Sequence, residues 1–521
     1  MDKDTKRTTQ REIGDVINEL SGSTTWAEFV KWPPNVFALT WTLLAESGAY
    51  RNFAGVWLLN TKQGIRTEIQ RERSMWIRSA LGKRKEAGPS VRDGLQILKV
   101  HRRLPLDRIA VSHKLLSAIL ALHVIADETC AGVYSFSHGA SDFDRFTLEA
   151  ELLLMETGSF AKIPIYHAQV MPKLLTPSVG MTLRSFSNYL TVRRVSEVQG
   201  NWFQIPASRT HLDRLNVLLI PWPSLIHATD FRPIRAQGRK RPFANSTGSF
   251  EFSPQVKLRR GYIDNVIERA IKQVGYIDVV VLPECAVSEA EFSLVERALS
   301  KRSISLAITG LRRAHENCLK FRSMMNRFVV EYMQHKHHPW KLTGRQIQQY
   351  GLASSLTPTM DWWESIGIAR RAISFIQTGQ LSICCLICED LARAEPTMEV
   401  IRAVGPTLIV ALLLDGPQLE SRWPARYARI LNEDPGSSVL TLTSLGMAVR
   451  WSRLSGCAPS RAIGYWIDRK FGGRELTLDP DADAMVLTLT LEHDSQQTMD
   501  GREVKVPIWY YSSAEQIRSF R

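Results

Sequence analysis

The chain has 521 residues, is 44% hydrophobic and carries a formal net charge of +14. At about 150 residues per domain that length allows two to four domains with ordinary cores. No apolar run approaches the ~20 residues that cross a bilayer, and the charged start Met1-Asp2-Lys3-Asp4-Thr5-Lys6-Arg7 leads into no signal-type apolar core. A cytoplasmic protein with no membrane partner is expected.

In chain order, residues 1–210 read as a mainly helical N-terminal domain. Pro34-Asn35 leads into a helix from Val36, Lys114–Ile125 is apolar nearly all round and so predicts a buried helix, and Leu148–Met155 is a further helix former. Four prolines (164, 172, 177, 206) interrupt 160–207 and leave room for two short strands. Within this half, segment 62–103 holds twelve Lys or Arg against four acids. Such density can attract a nucleic acid or an acidic protein, although a solvated helix face explains it as well and no aromatic interleaving signals base stacking. The texture changes near residue 213. Leu215–Ile220 reads as a strand, 235–254 as a polar loop, and 258–274 as an amphipathic helix with Ile263, Val266, Ile267, Ala270 and Ile271 at helical spacing. Strands at 278–282, 304–310, 328–333, 372–376, 381–387, 407–414 and 439–443 alternate with helices at 289–300 and 423–431, the pattern of an α/β layer. Thr378-Gly379-Gln380 joins two of these strands as a hairpin, so a mixed sheet is predicted.

Three of the strand-like runs end in reactive side chains. Asp278–Leu282 leads to Pro283-Glu284, Phe328–His335 to Lys336, and Leu381–Ile387 to Cys388-Glu389-Asp390. Strand ends are where α/β folds place reacting groups. By type, a cysteine thiolate is a nucleophile, a carboxylate can take its proton and later activate water, and a lysine is a fixed positive charge that favours thiolate and stabilises a tetrahedral intermediate. Each residue alone also has a plain structural reading: a helix start, a solvated lysine, a core cysteine. Seven cysteines with three at 384, 385 and 388 form no disulfide framework. The lone Cys385-x-x-Cys388 pair lacks a second pair to complete a zinc site, and Asp479–Asp483 lacks the glycine and distal glutamate of a calcium loop. No metal and no cofactor is expected.

The order Glu, Lys, Cys at strand ends resembles the carbon–nitrogen hydrolase (nitrilase) superfamily over residues 213–515. Thr309-Gly310 looks like that family's glycine turn before the next hairpin, Asn326 like its asparagine before the lysine strand, and Trp423–Leu431 with 439–443 like the helix and strand after its nucleophile. The resemblance implies an α/β fold, a four-layer α-β-β-α sandwich over 213–521, and catalysis by Glu284 as base, Lys336 and Cys388 as nucleophile on a small-molecule amide or nitrile, in a homo-oligomer. Glu389 and Asp390 would support the nucleophile turn through backbone N–H groups. The sequence departs from the family in two ways. No acid follows Lys336 where a second glutamate usually orients the lysine, so Gln346 or Glu331 would have to substitute, and Lys341 rivals Lys336 for the role. The stretch 227–256 is also longer than usual. A catalytically weak binding or signalling protein on the same scaffold is the competing reading, with bacterial antiviral defence and nucleic-acid association as a further alternative.

Overall fold

The computed structural model describes residues 10–55, 62–134, 139–177, 180–194, 198–205, 213–234, 247–325, 328–367, 370–454 and 459–518. The chain divides into two compact units. The first comprises residues 1–197 with 403–405 and 495–506, and the second holds the remainder. Strand Gln199–Gln204 pairs in parallel with Ala372–Thr378 inside the second unit. It therefore belongs with the sheet that follows it, where sequence had grouped it with the helices.

In the first unit, helices Ile13–Ser21, Pro33–Ser47, Lys62–Ala80, Pro89–Val100, His113–Thr129 and Asp142–Thr157 accompany a two-stranded ladder of Gln169–Pro172 with Leu190–Arg193. Pro33 and Pro34 occupy the first helical turn, where a missing N–H costs nothing. The helix therefore starts three residues before Val36. Helix His113–Thr129 is buried along most of its length, as its all-round apolarity predicts. Helix Lys62–Ala80 is amphipathic, with Trp76 and Ile77 buried and Arg71 and Arg78 exposed. Arg502 is the polar anchor of this unit. Buried, it donates to Asp127 at 2.9 Å, to Glu128 at 2.7 Å and to Asp500 at 2.6 Å. Asp127 in turn accepts the backbone N–H groups of Asn188, Tyr189 and Leu190.

The second unit is built on two seven-stranded mixed sheets. In the first, the order is Phe328–His335, Glu316–Met325, Leu306–Arg313, Val279–Val287, Arg214–Leu219, Ala484–Gln497, Glu503–Ile517. In the second it is Gly472–Thr477, Ala462–Asp468, Ser438–Thr443, Leu408–Leu413, Leu381–Ile387, Ala372–Thr378, Gln199–Gln204. The central strands of each are parallel and buried from end to end, which explains their unbroken apolar runs. Helix Arg260–Val274 buries Ile263, Val266, Ile267 and Ala270, and helix Glu289–Lys301 buries Phe292, Val295 and Leu299, all in one core with Val280 and Leu218 of the first sheet. Helices Trp423–Glu433 and Leu445–Leu454 pack on the second sheet, and the Val279–Val287 strand touches Leu408–Leu413 and Ser438–Thr443. The expected hairpin of 372–376 with 381–387 is present, with Phe375 opposite Cys384. A small four-stranded sheet (Lys341–Leu342, Asp361–Glu364, Thr247–Phe252, Phe231–Ile234) completes the unit. Among the described residues no helix is long and apolar enough to cross a membrane.

Removing one partner of a buried ion network leaves uncompensated charge, typically at a cost of about 3–5 kcal/mol. Arg502→Ala should therefore destabilise the first unit by roughly that amount, read as a shifted denaturant midpoint; an unchanged midpoint would show that the network contributes nothing net.

Candidate active site

Glu284 lies within strand Val279–Val287, beyond the expected strand end at Leu282. The ladder to Leu306–Arg313 shifts register between Leu282 and Val287, and Cys285 takes a φ of 52°. Gly310 faces this irregularity. A Cβ there would lie 2.1 Å from the Pro283 carbonyl oxygen and 2.5 Å from the Glu284 Cα. Gly310 is thus no turn residue, contrary to the sequence reading: it sits inside its strand and makes room for the bent backbone that presents Glu284. The turn comes later, at Ala314-His315.

Lys336 directly follows strand Phe328–His335, and its N–H donates to the Asn317 carbonyl at 2.9 Å. Its Nζ meets Glu284 Oε1 at 2.8 Å and Glu364 Oε2 at 2.7 Å. These side chains are sealed off: the lysine is 1% exposed and Glu284 0%. Asn317 Nδ2 donates to both glutamates, at 2.7 Å each. Glu364 Oε2 also accepts the Trp340 N–H at 2.9 Å. The buried Oε2 of Glu284 has no partner in the protein.

Cys388 follows strand Leu381–Ile387 and opens a short turn with φ of 46°, a left-handed conformation that only special contexts impose on a side-chain-bearing residue. It is 2% exposed. The Leu414 backbone and the charges of Glu284 and Lys336 all act on its sulfur. Two buried polar ties hold the lysine strand to the second large sheet. Gln334 donates to the Cys385 carbonyl at 2.9 Å and accepts the Ser374 N–H at 2.9 Å. Asp390 accepts the N–H groups of His337 and His338, both at 3.1 Å, and pairs with the His338 ring at 2.8 Å.

Burial pushes the Cys388 thiol well above its ordinary value and the Glu284 charge adds to this, while Lys336 and the Leu414 hydrogen bond pull it back. Burial likewise raises Glu284; Lys336 opposes the rise and Glu364 reinforces it. Burial alone would lower Lys336, but Glu284, Glu364 and Cys388 outweigh it and hold the ammonium charged. The resting site therefore contains a neutral thiol, a fixed cation and a carboxylate with one bare oxygen.

Sequence missed Glu364 and Asn317. Glu364 stands where an acid was sought within ten residues of Lys336, but it comes from strand Asp361–Glu364, brought in by the small sheet. The run Asp361-Trp362-Trp363-Glu364, strand-like and ending in an acid, was the available signal. Gln346, the expected substitute, instead caps helix Gly344–Gln349 in a capping box with Thr343, and Glu331 pairs with Lys320 at 3.0 Å. Lys341 pairs with Asp361 at 2.7 Å, away from the network. Glu389 pairs with Arg393. Asn326 lies outside the described residues. The small sheet and the helix beside it form an aromatic roof in which Phe231, Phe250, Trp340, Tyr350 and Trp362 cluster with Cys285 and Leu414. A cavity of about 240 Å³ reaches the network from its Asn317–Glu364 end, with Cys285, Arg312 and His315 in its wall.

The second unit is thus an α/β scaffold that brings an acid and a lysine into hydrogen-bond contact and sets a cysteine, whose thiol feels both charges, after a third strand. No family model and no curated protein matches the chain. Among solved structures it is similar to a mutant of the Nesterenkonia AN1 amidase from the nitrilase superfamily, with 12% identity, a TM-score of 0.32, and coverage of 54% of this chain and 91% of that one. It is also similar to Saccharomyces cerevisiae Nit3, a member of branch 10 of the nitrilase superfamily, with 13% identity, a TM-score of 0.28, and coverage of 58% and 92%. Likenesses this distant leave the functional reading to the geometry.

Gly310→Ala puts a methyl into backbone that cannot yield cheaply. A loss of about 1–3 kcal/mol is expected from this overpacking, read as a lower unfolding temperature; an unchanged temperature would mean that the Glu284 bend is not held by this contact.

Proposed function

We propose that the second unit is a cofactor-independent thiol amidase of the carbon–nitrogen hydrolase type, built as a four-layer α-β-β-α sandwich, with Cys388 as nucleophile, Glu284 as general base and acid, and Lys336 as the fixed cation. The observation that carries this reading is the Glu284 carboxylate: one oxygen is saturated by Lys336 and Asn317, the other is buried and bare, and its charge acts on the Cys388 thiol. A buried acceptor left unpaired costs about 1–3 kcal/mol, and a proton in transit is what such an oxygen can take.

The steps follow from the groups present. The Cys388 S–H proton passes to Glu284 Oε2 as the sulfur attacks the amide carbon. The oxyanion that forms is stabilised by the Lys336 charge and by backbone N–H groups around the nucleophile turn. The C–N bond breaks, and the departing amine takes the proton from Glu284. Water then attacks the thioester, gives its proton to Glu284, and the thiol is restored as the acid leaves. Glu364 and Asn317 do not touch the reacting atoms; they position Lys336 and Glu284.

A catalytically silent binding protein on this scaffold remains the second reading, and the 2% exposure of Cys388 favours it. For either reading, an anionic partner for the basic segment 62–103 and a homo-oligomer stay part of the proposal. Turnover separates the two. Across a panel of small amides and nitriles, Cys388→Ala and Lys336→Ala should abolish hydrolysis, and Glu284→Gln should lower it by roughly 10²–10⁴. Full activity in any folded variant removes that residue from the mechanism, and an inactive wild type with every substrate class leaves the binding reading. The pH profile adds a signed test. Glu284 must be ionised to accept the proton and its pKa is raised, so kcat/KM should fall on acidification with a midpoint above the ordinary 4.5. Glu364→Gln removes a charge that pushes Glu284 up, so the midpoint should move to lower pH; an unmoved midpoint would contradict the coupling.

A further inference from the structure

The three parallel strands at the centre of the second large sheet end side by side, with Ile387 paired to Leu412 and Leu413 to Thr443. Cys388 follows the first of them, and Leu414-Asp415 the second. The carboxyl edge of parallel strands is where open α/β sheets bind ligands, and Asp415 stands two residues past Leu413 on that edge, after the strand that pairs with the one Cys388 follows.

Asp415 is 3% exposed. Its Oδ1 takes both protein contacts, from the Tyr350 hydroxyl and from Arg422 Nη2 at 2.8 Å. Its Oδ2 is buried with no partner, and so is Arg422 Nη1. The pair is held firmly. Thr443 donates to the Asp415 carbonyl at 2.6 Å and accepts its N–H at 3.3 Å. The Arg422 guanidinium lies 4.5 Å over the Trp451 ring. Gly416 leaves it space, since a Cβ there would sit 2.1 Å from Nη1. A bare acceptor and a bare donor, held on the strand-end edge that Cys388 also occupies, are complementary to a group that offers N–H and C=O on one edge. A carboxylate would meet the Asp415 charge and an ammonium would meet Arg422, so the matching group is neutral.

We propose that Asp415 Oδ2 and Arg422 Nη1 bind the non-reacting end of the substrate, and that this end carries a carboxamide-like edge. The hydrolase reading enters only by placing the reacting carbon at Cys388, so binding and turnover can be scored apart. The probes are glutaramide, its half-acid glutaramate, and butyramide, titrated by calorimetry into the full chain carrying Cys388→Ala. Glutaramide should bind about tenfold or more tightly than the other two, the effect of one or two hydrogen bonds to charged groups. Asp415→Asn keeps the acceptor that faces Tyr350 and Arg422 but turns the bare acceptor into a donor; added to Cys388→Ala, it should bring the ratio to about one. Equal binding of the three probes, no binding of any, or a ratio that survives in a folded Asp415→Asn chain overturns the assignment. A wild type that discriminates in binding yet hydrolyses none of them would count against the hydrolase reading for this substrate class and leave this one standing.

Discussion

A buried ammonium shared by two buried carboxylates is the interaction on which the site depends. Taking any one of these charges out of water alone would cost several kcal/mol, and the cluster exists only because each member compensates another. Lys336 is the member without a substitute. It is sealed between Glu284 and Glu364, and both hold it charged. Because two carboxylates face one lysine, a negative excess remains next to Cys388. Burial keeps the resting thiol protonated, with the Glu284 charge adding to it, and burial gives Glu284 its tendency to hold a proton, opposed by Lys336 and reinforced by Glu364. The same burial that is unfavourable for a charge makes a proton carrier.

Such a cluster has to be assembled from distant parts of the chain, and the fold does so with backbone devices. The register shift before Val287 aims Glu284, and Gly310 tolerates the bend by having no side chain. The positive φ of Cys388 turns the thiol out of its strand direction. Gln334 and Asp390 then tie the lysine strand and its following loop to the strand and turn that carry the nucleophile. Conformations of this kind cost of order 1–3 kcal/mol each and persist only where the surroundings enforce them; here the two polar ties through Gln334 and Asp390 do so. The aromatic roof completes the enclosure through its contacts with Cys285 and Leu414.

How much of this could be read beforehand follows from range. The strands at 279, 306, 381, 408 and 438 were legible because parallel strands buried on both faces leave unbroken apolar runs, and the reactive side chains at their ends stood out against those runs. The strand carrying Glu284 was ended too early, at Leu282 and not Val287, because a register shift leaves no trace in composition. Glu364 escaped because it reaches Lys336 through a strand pairing with Thr247–Phe252, more than a hundred residues earlier in the chain. Gln346 misled for a local reason: Thr-x-x-Gln is itself a capping signature, and the helix used it. Strand Gln199–Gln204 was misassigned because its partner, Ala372–Thr378, lies far along the chain and proline-rich flanks masked it.

The claim that the sulfur of Cys388 is the reacting atom can be tested directly by trapping. After brief incubation with an activated acyl ester and acid quench, peptide mapping by mass spectrometry should find the acyl group as a thioester on the peptide carrying Cys388, with Cys384 and Cys385 on the same peptide unmodified by fragment assignment, and with the adduct lost in Lys336→Ala. An adduct spread over the other cysteines, or an unmodified Cys388 while the ester is consumed, would contradict it.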